Sequence, residues 1–364
     1  MKIIKKFLIS LAALIAILGL GLFAFVYSLT YHPSDLEEQK VSCKPNAPTL
    51  NPGQIVKVLN WNVQFMAGKK YVFFFDVPKG DGPDERPEPT EIQKTLAEVA
   101  RVIKEESPDI VLLQEVDDGA KRTDNQDQLL ELLKLLPEEY VCSSSAFYWK
   151  NTYLPHPRVQ GSTGMKVSTI SKYKIESAVR HALPIIPADP ITKQFGLKRA
   201  ILEAKMPISN SKYLYAMNTH LDAFAQGYDT MEKQILYLKD LFNKRNSEKV
   251  AWFIGGDFNL LPPNFDLSTL MKTHQEFYNP KSEIGVLFDS FKSSVPLGVL
   301  GGKDKDVYYT HIANDPDANG KPDRTIDYIF HSDEIQTQFY SVRKKDTAEI
   351  SDHLPLIVEI KIPE

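Results

Sequence analysis

Val250-Ala251-Trp252-Phe253-Ile254-Gly255-Gly256-Asp257-Phe258-Asn259 is an apolar run that ends in polar groups, and Ser351-Asp352-His353-Leu354-Pro355 is its mirror, polar groups leading into Leu356-Ile357-Val358-Glu359-Ile360. Each reads as a buried strand carrying a carboxylate, amide or imidazole at its end. Strand ends let a rigid sheet hold chemical groups at a fixed geometry while leaving them open to a ligand. Asp, Asn and His together, with a Glu supplied from elsewhere, suit metal-assisted attack of water on a phosphate ester.

Working outward from these two stretches, residues 55–60, 110–114, 166–170, 200–204, 214–218, 252–256, 327–330 and 356–360 also read as strands. Residues 90–106, 126–136 and 231–243 read as helices, the first with Leu96, Val99, Ala100 and Ile103 on one face. Their alternation, with no repeat and no second linker, predicts a single α/β domain over residues 55–364. A hydrophobic content of 43% and a charged content of 25% supply an ordinary globular core. The formal charge of −4 provides no overall basic field of the kind that drives nonspecific nucleic-acid binding.

Residues 7–29 form an uncharged run of 23, long enough at ~1.5 Å per residue to cross a ~30 Å hydrocarbon core. Lys2, Lys5 and Lys6 precede it, and Asp35, Glu37 and Glu38 follow, so the rest of the chain is expected on the exported side of the membrane. A cleaved signal sequence is the rival reading, against which stand the length of the run and its bulky end at Phe25-Val26-Tyr27-Ser28-Leu29. Residues 1–29 are thus read as an anchor or signal sequence. Residues 30–54, with Pro33, Pro45, Pro48 and Pro52 and no periodicity, read as a stalk. Cys43 and Cys142 either pair, as an oxidising compartment permits, or remain two thiols.

Tyr71-Val72-Phe73-Phe74-Phe75 reads first as a core strand or hairpin and second as an aromatic pocket wall or membrane-facing patch; Phe147-Tyr148-Trp149 poses the same choice. Gly161-Ser162-Thr163-Gly164 has the composition of a phosphate cradle, but with no clear helix after it a plain turn is expected. Arg199 reads equally as a phosphate ligand or a surface cation.

Six segments stand in order: Asn60-Trp61-Asn62-Val63-Gln64, Leu113-Gln114-Glu115-Val116, Asn218-Thr219-His220-Leu221, Gly256-Asp257-Phe258-Asn259, Thr325-Ile326-Asp327-Tyr328 and Ser351-Asp352-His353. Singly, each has a bland account: Asn62 or Asn218 as a turn residue, His220 as a core histidine, Asp327 as a cap. As an ordered set the chain resembles the endonuclease/exonuclease/phosphatase superfamily of metal-dependent phosphoesterases, over nearly all of the sequence after the stalk. The resemblance implies a four-layer α/β sandwich, two mixed β-sheets face to face with helices outside, here preceded by an N-terminal transmembrane helix.

Physical chemistry assigns the roles, in agreement with that resemblance. Asn62 and Glu115 make a hard oxygen site suited to Mg²⁺, with Mn²⁺ fitting the same ligands, and Asp352 joins them as a ligand or through water. Asp257 orients and deprotonates the attacking water, with Asn259 fixing the phosphate beside it. Asp327 holds the His353 imidazole in one tautomer, and His353 and His220 donate to the nonbridging oxygens where charge grows. The superfamily includes nucleases, sphingomyelinases and inositol-phosphate phosphatases, so fold does not choose the substrate. The Pro-Ala-Trp-Cys-Asp-Arg segment of inositol 5-phosphatases is replaced here by Arg324-Thr325-Ile326-Asp327-Tyr328, and the loops hold no dense basic cluster. The expectation is an exported, membrane-anchored phosphodiesterase or phosphatase acting on a lipid head group or other small phosphoester. An exported Mg²⁺-dependent nuclease and a non-catalytic binding module are the alternatives.

Overall fold

Alternation along Ile55–Asn62 sorts its side chains onto two faces, and that sorting sets the layers of the computed structural model, which describes residues 2–74, 77, 80–223, 225–315 and 318–364. Leu59 and Trp61 pack with Leu96, Val99 and Ile103, whereas Val56 and Val58 join a different cluster with Ala216 and Ile254. The first face is covered by a helix and the second by another sheet. Full burial of each such side chain contributes roughly 1.5–3 kcal/mol.

One seven-stranded sheet runs in the order β15 (Gln336–Val342), β16 (Leu356–Lys361), β3 (Ile55–Asn62), β4 (Ile110–Asp117), β6 (Gly161–Ser171), β5 (Cys142–Leu154) and β2 (Val41–Cys43). The other runs β1 (Leu36–Gln39), β7 (Ser177–Ala182), β8 (Ala200–Pro207), β9 (Tyr213–His220), β10 (Ala251–Asp257), β14 (Asp327–His331) and β11 (Lys292–Ser293). Both are mixed, with β3–β4 and β9–β10 parallel. A short ribbon pairs β12 (His311–Ile312) with β13 (Pro322–Arg324). Helix α1 (Lys2–Leu29) precedes the sheets. Helices α2 (Pro89–Glu106) and α3 (Gln128–Leu135) cover the outer face of the first sheet. Beyond the four-residue α4 (Thr192–Phe195), helix α5 (Thr230–Ser247) covers the second sheet, with Phe242 stacked on Trp252 at 4.2 Å between ring centroids. This is the expected four-layer sandwich.

Elsewhere the structure departs from the sequence reading. Residues 30–54, read as a stalk from their prolines, place β1 on the edge strand β7 and β2 on β5, and Cys43 is disulfide-bonded to Cys142. Edge strands of three or four residues pair through the backbone and are too short to show a period. Gly161-Ser162-Thr163-Gly164 is not a turn but the start of β6. A Cβ at Gly164 would collide with the Asp118 carbonyl, so the glycine serves close strand packing. Phe73 and Phe74 are buried with Phe65, as the core reading expects, yet they belong to no strand or hairpin; Phe73 makes one bridge to Asp84. Phe75 lies outside the described residues. Phe147-Tyr148-Trp149 lies within β5.

Candidate active site

Register brings the polar strand ends together. Asp257, the last residue of β10, is paired laterally with His220 on β9 and with Asp327 on β14, so three functional side chains form one row across adjacent strands. A Cβ at Gly256 would strike the Thr219 carbonyl, which explains the glycine before Asp257. Asn62 ends β3 directly opposite, in the facing sheet.

Glu115 reaches this row through a bulge. Val111 and Leu113 face α2 and α3, so strict alternation would turn Glu115 toward the same helices. Instead the β4–β6 register slips between Leu113 and Val116 and Glu115 adopts a positive φ of 56°. Val116 returns to the helix side, while Gln114 and Glu115 both point inward. Bulges commonly re-aim a side chain beside a functional site. Asn259 likewise sits at a φ of 52°, in a conformation asparagine tolerates.

The resulting contacts are short. The Asn62 amide donates to Glu115 Oε1 at 2.9 Å and to Asp257 Oδ2 at 3.1 Å. Asp257 Oδ2 also lies 3.4 Å from both His220 Nε2 and His353 Nε2. His353 Nδ1 donates to Asp327 Oδ2 at 2.8 Å. Asn259 donates its backbone N–H to Asp257 Oδ1 at 2.9 Å and its amide to the Leu221 carbonyl at 3.1 Å. Glu115, His220, Asp257, Asn259, Asp352 and His353 all line one cavity of about 440 Å³, and Asp327 stands behind His353. All the residues expected in the site therefore meet there. Asn218 does not: its amide donates to the Leu113 and Ser168 carbonyls and its oxygen accepts from Gln114, a polar tie between the two sheets.

Burial governs the protonation states. It raises Asp257 to about 7, with the Asp327 charge adding to it against the pull of His353. It also raises Glu115, helped by Asp352. It holds His220 well below the usual histidine range, reinforced by Arg199 and His353. For His353 burial opposes the charge, but Asp327 and Asp257 outweigh it and keep the ring an imidazolium. Neutral His220 can donate from Nε2 while its Nδ1 accepts from the Tyr148 hydroxyl at 3.2 Å.

Glu115, Asp257 and Asp352 bring three carboxylates to one cavity, with Asp352 raising Glu115 further, an arrangement that a divalent cation resolves. Among the described residues, two sets also have the spacing to hold a metal: His311, Asp352 and His353, and Asp257, Asp327 and His353. In the second set, the hydrogen-bonded His353 cation already separates the carboxylates. Glu115 and Asp352 offer the harder oxygen donors, whereas Asn62 turns its amide N–H to Glu115 and Asp257 and its Oδ1 to the Gln64 N–H.

Several neighbours escaped the sequence reading. Gln64 donates its backbone N–H to Asn62 Oδ1 and accepts the Asp352 N–H on its side chain, fixing two of the residues expected to bind metal. It was legible only as the last letter of a quoted segment. Asn314 donates to Asp352 Oδ2 at 2.7 Å and accepts from Lys69 Nζ, and His311 packs edge-on against His353 at 4.9 Å. Asn314 lies in an irregular stretch and His311 in the two-residue β12, neither long enough to carry a pattern. Arg199 is no surface cation: it is buried, bonded to Asp222 at 3.1 Å, and lines the cavity.

The Endonuclease/Exonuclease/phosphatase family profile matches residues 59–353, and the chain belongs to that family, whose members are metal-dependent phosphoesterases. Among solved structures, the chain is similar to an endonuclease/exonuclease/phosphatase from Beutenbergia cavernae, with 20% identity, a TM-score of 0.56, and 85% of this chain and 72% of the other covered. It is similar also to the human Nocturnin catalytic domain with bound sulfate, at 18% identity and a TM-score of 0.51 over 89% and 97% of the two chains. A family protein from Bacteroides thetaiotaomicron follows at 14% identity and a TM-score of 0.51, covering 85% and 99%. At these identities the likeness is one of fold. No curated protein sequence matches the chain.

Proposed function

We propose that this phosphoesterase is an exported, membrane-anchored, Mg²⁺-dependent hydrolase of amphiphilic phosphoesters, with a lipid head group at the scissile bond. The observation that carries the reading is the composition of the cavity. Its floor is the carboxylate and imidazole row, while Phe65, Trp149, Leu154, Met165, Phe195 and Leu197 make its wall. A phosphate on the floor places the rest of its molecule against apolar surface, which favours a hydrocarbon-bearing substrate.

Nucleic acid fits less well. Four arginines at the cavity and in the cleft beside it are engaged by carboxylates: Arg122 on Asp117, Arg158 on Glu85, Arg86 on Asp124 and Arg199 on Asp222. Counterion release on a polyphosphate backbone calls for cations free to neutralise it. Anchoring rests on α1, which is long and apolar enough to cross a bilayer.

In this reading Glu115 and Asp352, with Asn62 beside Glu115, would hold Mg²⁺, which would supply Lewis-acid stabilisation of the phosphate charge. Asp257, raised by burial, accepts a proton from the attacking water near neutral pH. Asn259 keeps that carboxylate aimed through its backbone N–H. The His353 imidazolium, fixed by Asp327, and neutral His220 donate to the nonbridging oxygens as charge accumulates there.

The test is hydrolysis by the purified full chain in Mg²⁺, with mixed phospholipid vesicles, single-stranded DNA and duplex DNA offered in parallel and Asp257→Ala as the blank. Head-group release that vanishes in the variant supports the proposal. Nicked DNA beside untouched lipid overturns it in favour of a nuclease.

A further inference from the structure

The chain that follows α1 is not free to swing. The Leu29 carbonyl accepts from Thr152 Oγ1 at 3.1 Å, and Thr30 forms an antiparallel bridge to Asn151. Tyr31 packs edge-on against Phe147 at 6.3 Å and donates to Glu37 at 3.0 Å, after which β1 joins β7. Among the described residues of α1, Val26 is the buried one, in its last turns. The helix end is therefore seated on the distal part of β5.

That same part of β5 is a wall of the active-site cavity. Trp149 and Leu154 line it and lie within three residues of Asn151 and Thr152. At ~3.3 Å per residue the helix end and the wall are within about 10 Å. The headgroup layer on one side of a bilayer is roughly 5–8 Å deep. Tyr27, exposed two residues before the helix ends, belongs to the aromatics that gather at a membrane interface.

Exposed side chains adjoin the cavity lining, Tyr153 next to Leu154 and Ile191 next to Thr192. Tyr153 is 43% exposed and Ile191 is 46% exposed, with Pro155 beside the first and Lys150 and Lys193 exposed nearby. Asp189 on the same segment is occupied in capping the backbone N–H groups of Ile191 and Thr192. The segment is held rigidly. Trp149 Nε1 donates to the Phe195 carbonyl, and Lys198 Nζ caps the Lys193, Gln194 and Gly196 carbonyls.

We propose that Tyr153, Pro155 and Ile191, flanked by Lys150 and Lys193, form a membrane-docking surface continuous with the anchor, which seats the cavity mouth in the headgroup layer of the leaflet the helix enters. The partner is a phospholipid surface: apolar side chains enter the interface and ammonium groups meet lipid phosphates. This rests on the anchored, lipid-directed reading above and adds that substrate is drawn laterally from the same leaflet, the anchor fixing orientation as well as location.

The test uses the full chain reconstituted in phosphatidylcholine/phosphatidylglycerol vesicles. Cys43 and Cys142 are paired, so Ile191→Cys and Phe339→Cys each offer one thiol for an environment-sensitive fluorophore. Phe339 lies on β15, five strands from β5 and about 24 Å away at ~4.8 Å per strand. Quenching by nitroxide-bearing lipid at position 191 but not at 339 is expected; equal quenching overturns the docking surface. In parallel, Tyr153→Asp/Ile191→Asp, and a flexible insertion of about 12 Gly and Ser residues between Leu29 and Thr30, are assayed on vesicle phospholipid and on soluble bis(4-nitrophenyl) phosphate. The expected result is a loss of about tenfold or more on vesicles, with soluble turnover held within about twofold, since only the effective concentration at the membrane changes. Equal losses on both substrates, or no loss on vesicles, overturn the proposal. Selective quenching at 191 with soluble but no lipid hydrolysis upholds docking and refutes the lipid substrate instead.

Discussion

Asp327→Asn isolates one element of the proposed chemistry, because it keeps the shape of the side chain and removes its charge. Asp327 is 2% exposed, and its Oδ2 accepts from His353 Nδ1 at 2.8 Å. A charge pair about 4 Å apart is worth ~4 kcal/mol at an effective dielectric of ~20. His353 retains Asp257 at 3.4 Å from its other nitrogen, so part of that stabilisation survives. A loss of roughly 2–4 kcal/mol corresponds to a ~30- to ~1,000-fold fall in kcat at ~1.4 kcal/mol per decade. Turnover of a soluble phosphodiester in Mg²⁺, measured across pH, separates the possibilities. In the proposed chemistry Asp327 acts only through the His353 ring it bonds, so KM is expected to stay within about threefold while kcat falls. The basic limb of the profile should also move to lower pH, because the imidazolium loses the first carboxylate that holds its proton. An unchanged kcat, or a loss carried wholly by KM, refutes the reasoning. An unaltered thermal midpoint excludes misfolding as the cause.

Glu115→Gln is expected to weaken Mg²⁺ binding by about tenfold or more, ~1.4 kcal/mol, read by calorimetric titration of the folded variant. Asp257 predicts the pH dependence of the metal-free protein. Its folded pKa, raised to about 7 by burial, means the native state keeps a proton that the unfolded chain has shed. Its contribution to stability is therefore full below the ordinary carboxylate pKa and is lost as pH rises through about 7. Urea melts in EDTA should show this decline between about pH 4 and 7, and Asp257→Asn should flatten it. Replacing both Cys43 and Cys142 by Ser opens a loop spanning 99 positions and should cost about 4–5 kcal/mol of stability by loop entropy, read from the urea midpoint.

Most of the site was legible in the sequence because its residues occupy strand ends. An apolar run that stops at Asp257 or begins after His353 announces both a strand and the place where it opens to solvent. What made the reading possible was the order of six short segments, since no single one carries enough information. Less legible was β5, whose Ser, Lys, Asn and Thr residues mask its alternation although it spans 13 residues. The Gly161–Gly164 stretch misled because glycine serves close strand packing as readily as a turn.

Sequence by itself determined the central strands, the family and the identities of the polar groups, since periodicity and local chemistry are written residue by residue. It could not determine that His220, Asp257 and Asp327 share one row, because register between strands far apart in the chain is set by pairing. Nor could it show Glu115 turned inward, because the bulge exists only against β6. The seating of α1 on β5 and the Cys43–Cys142 bridge belong to the same class. They are contacts between surfaces that periodicity leaves blank, and only the packed tertiary structure brings them within reach.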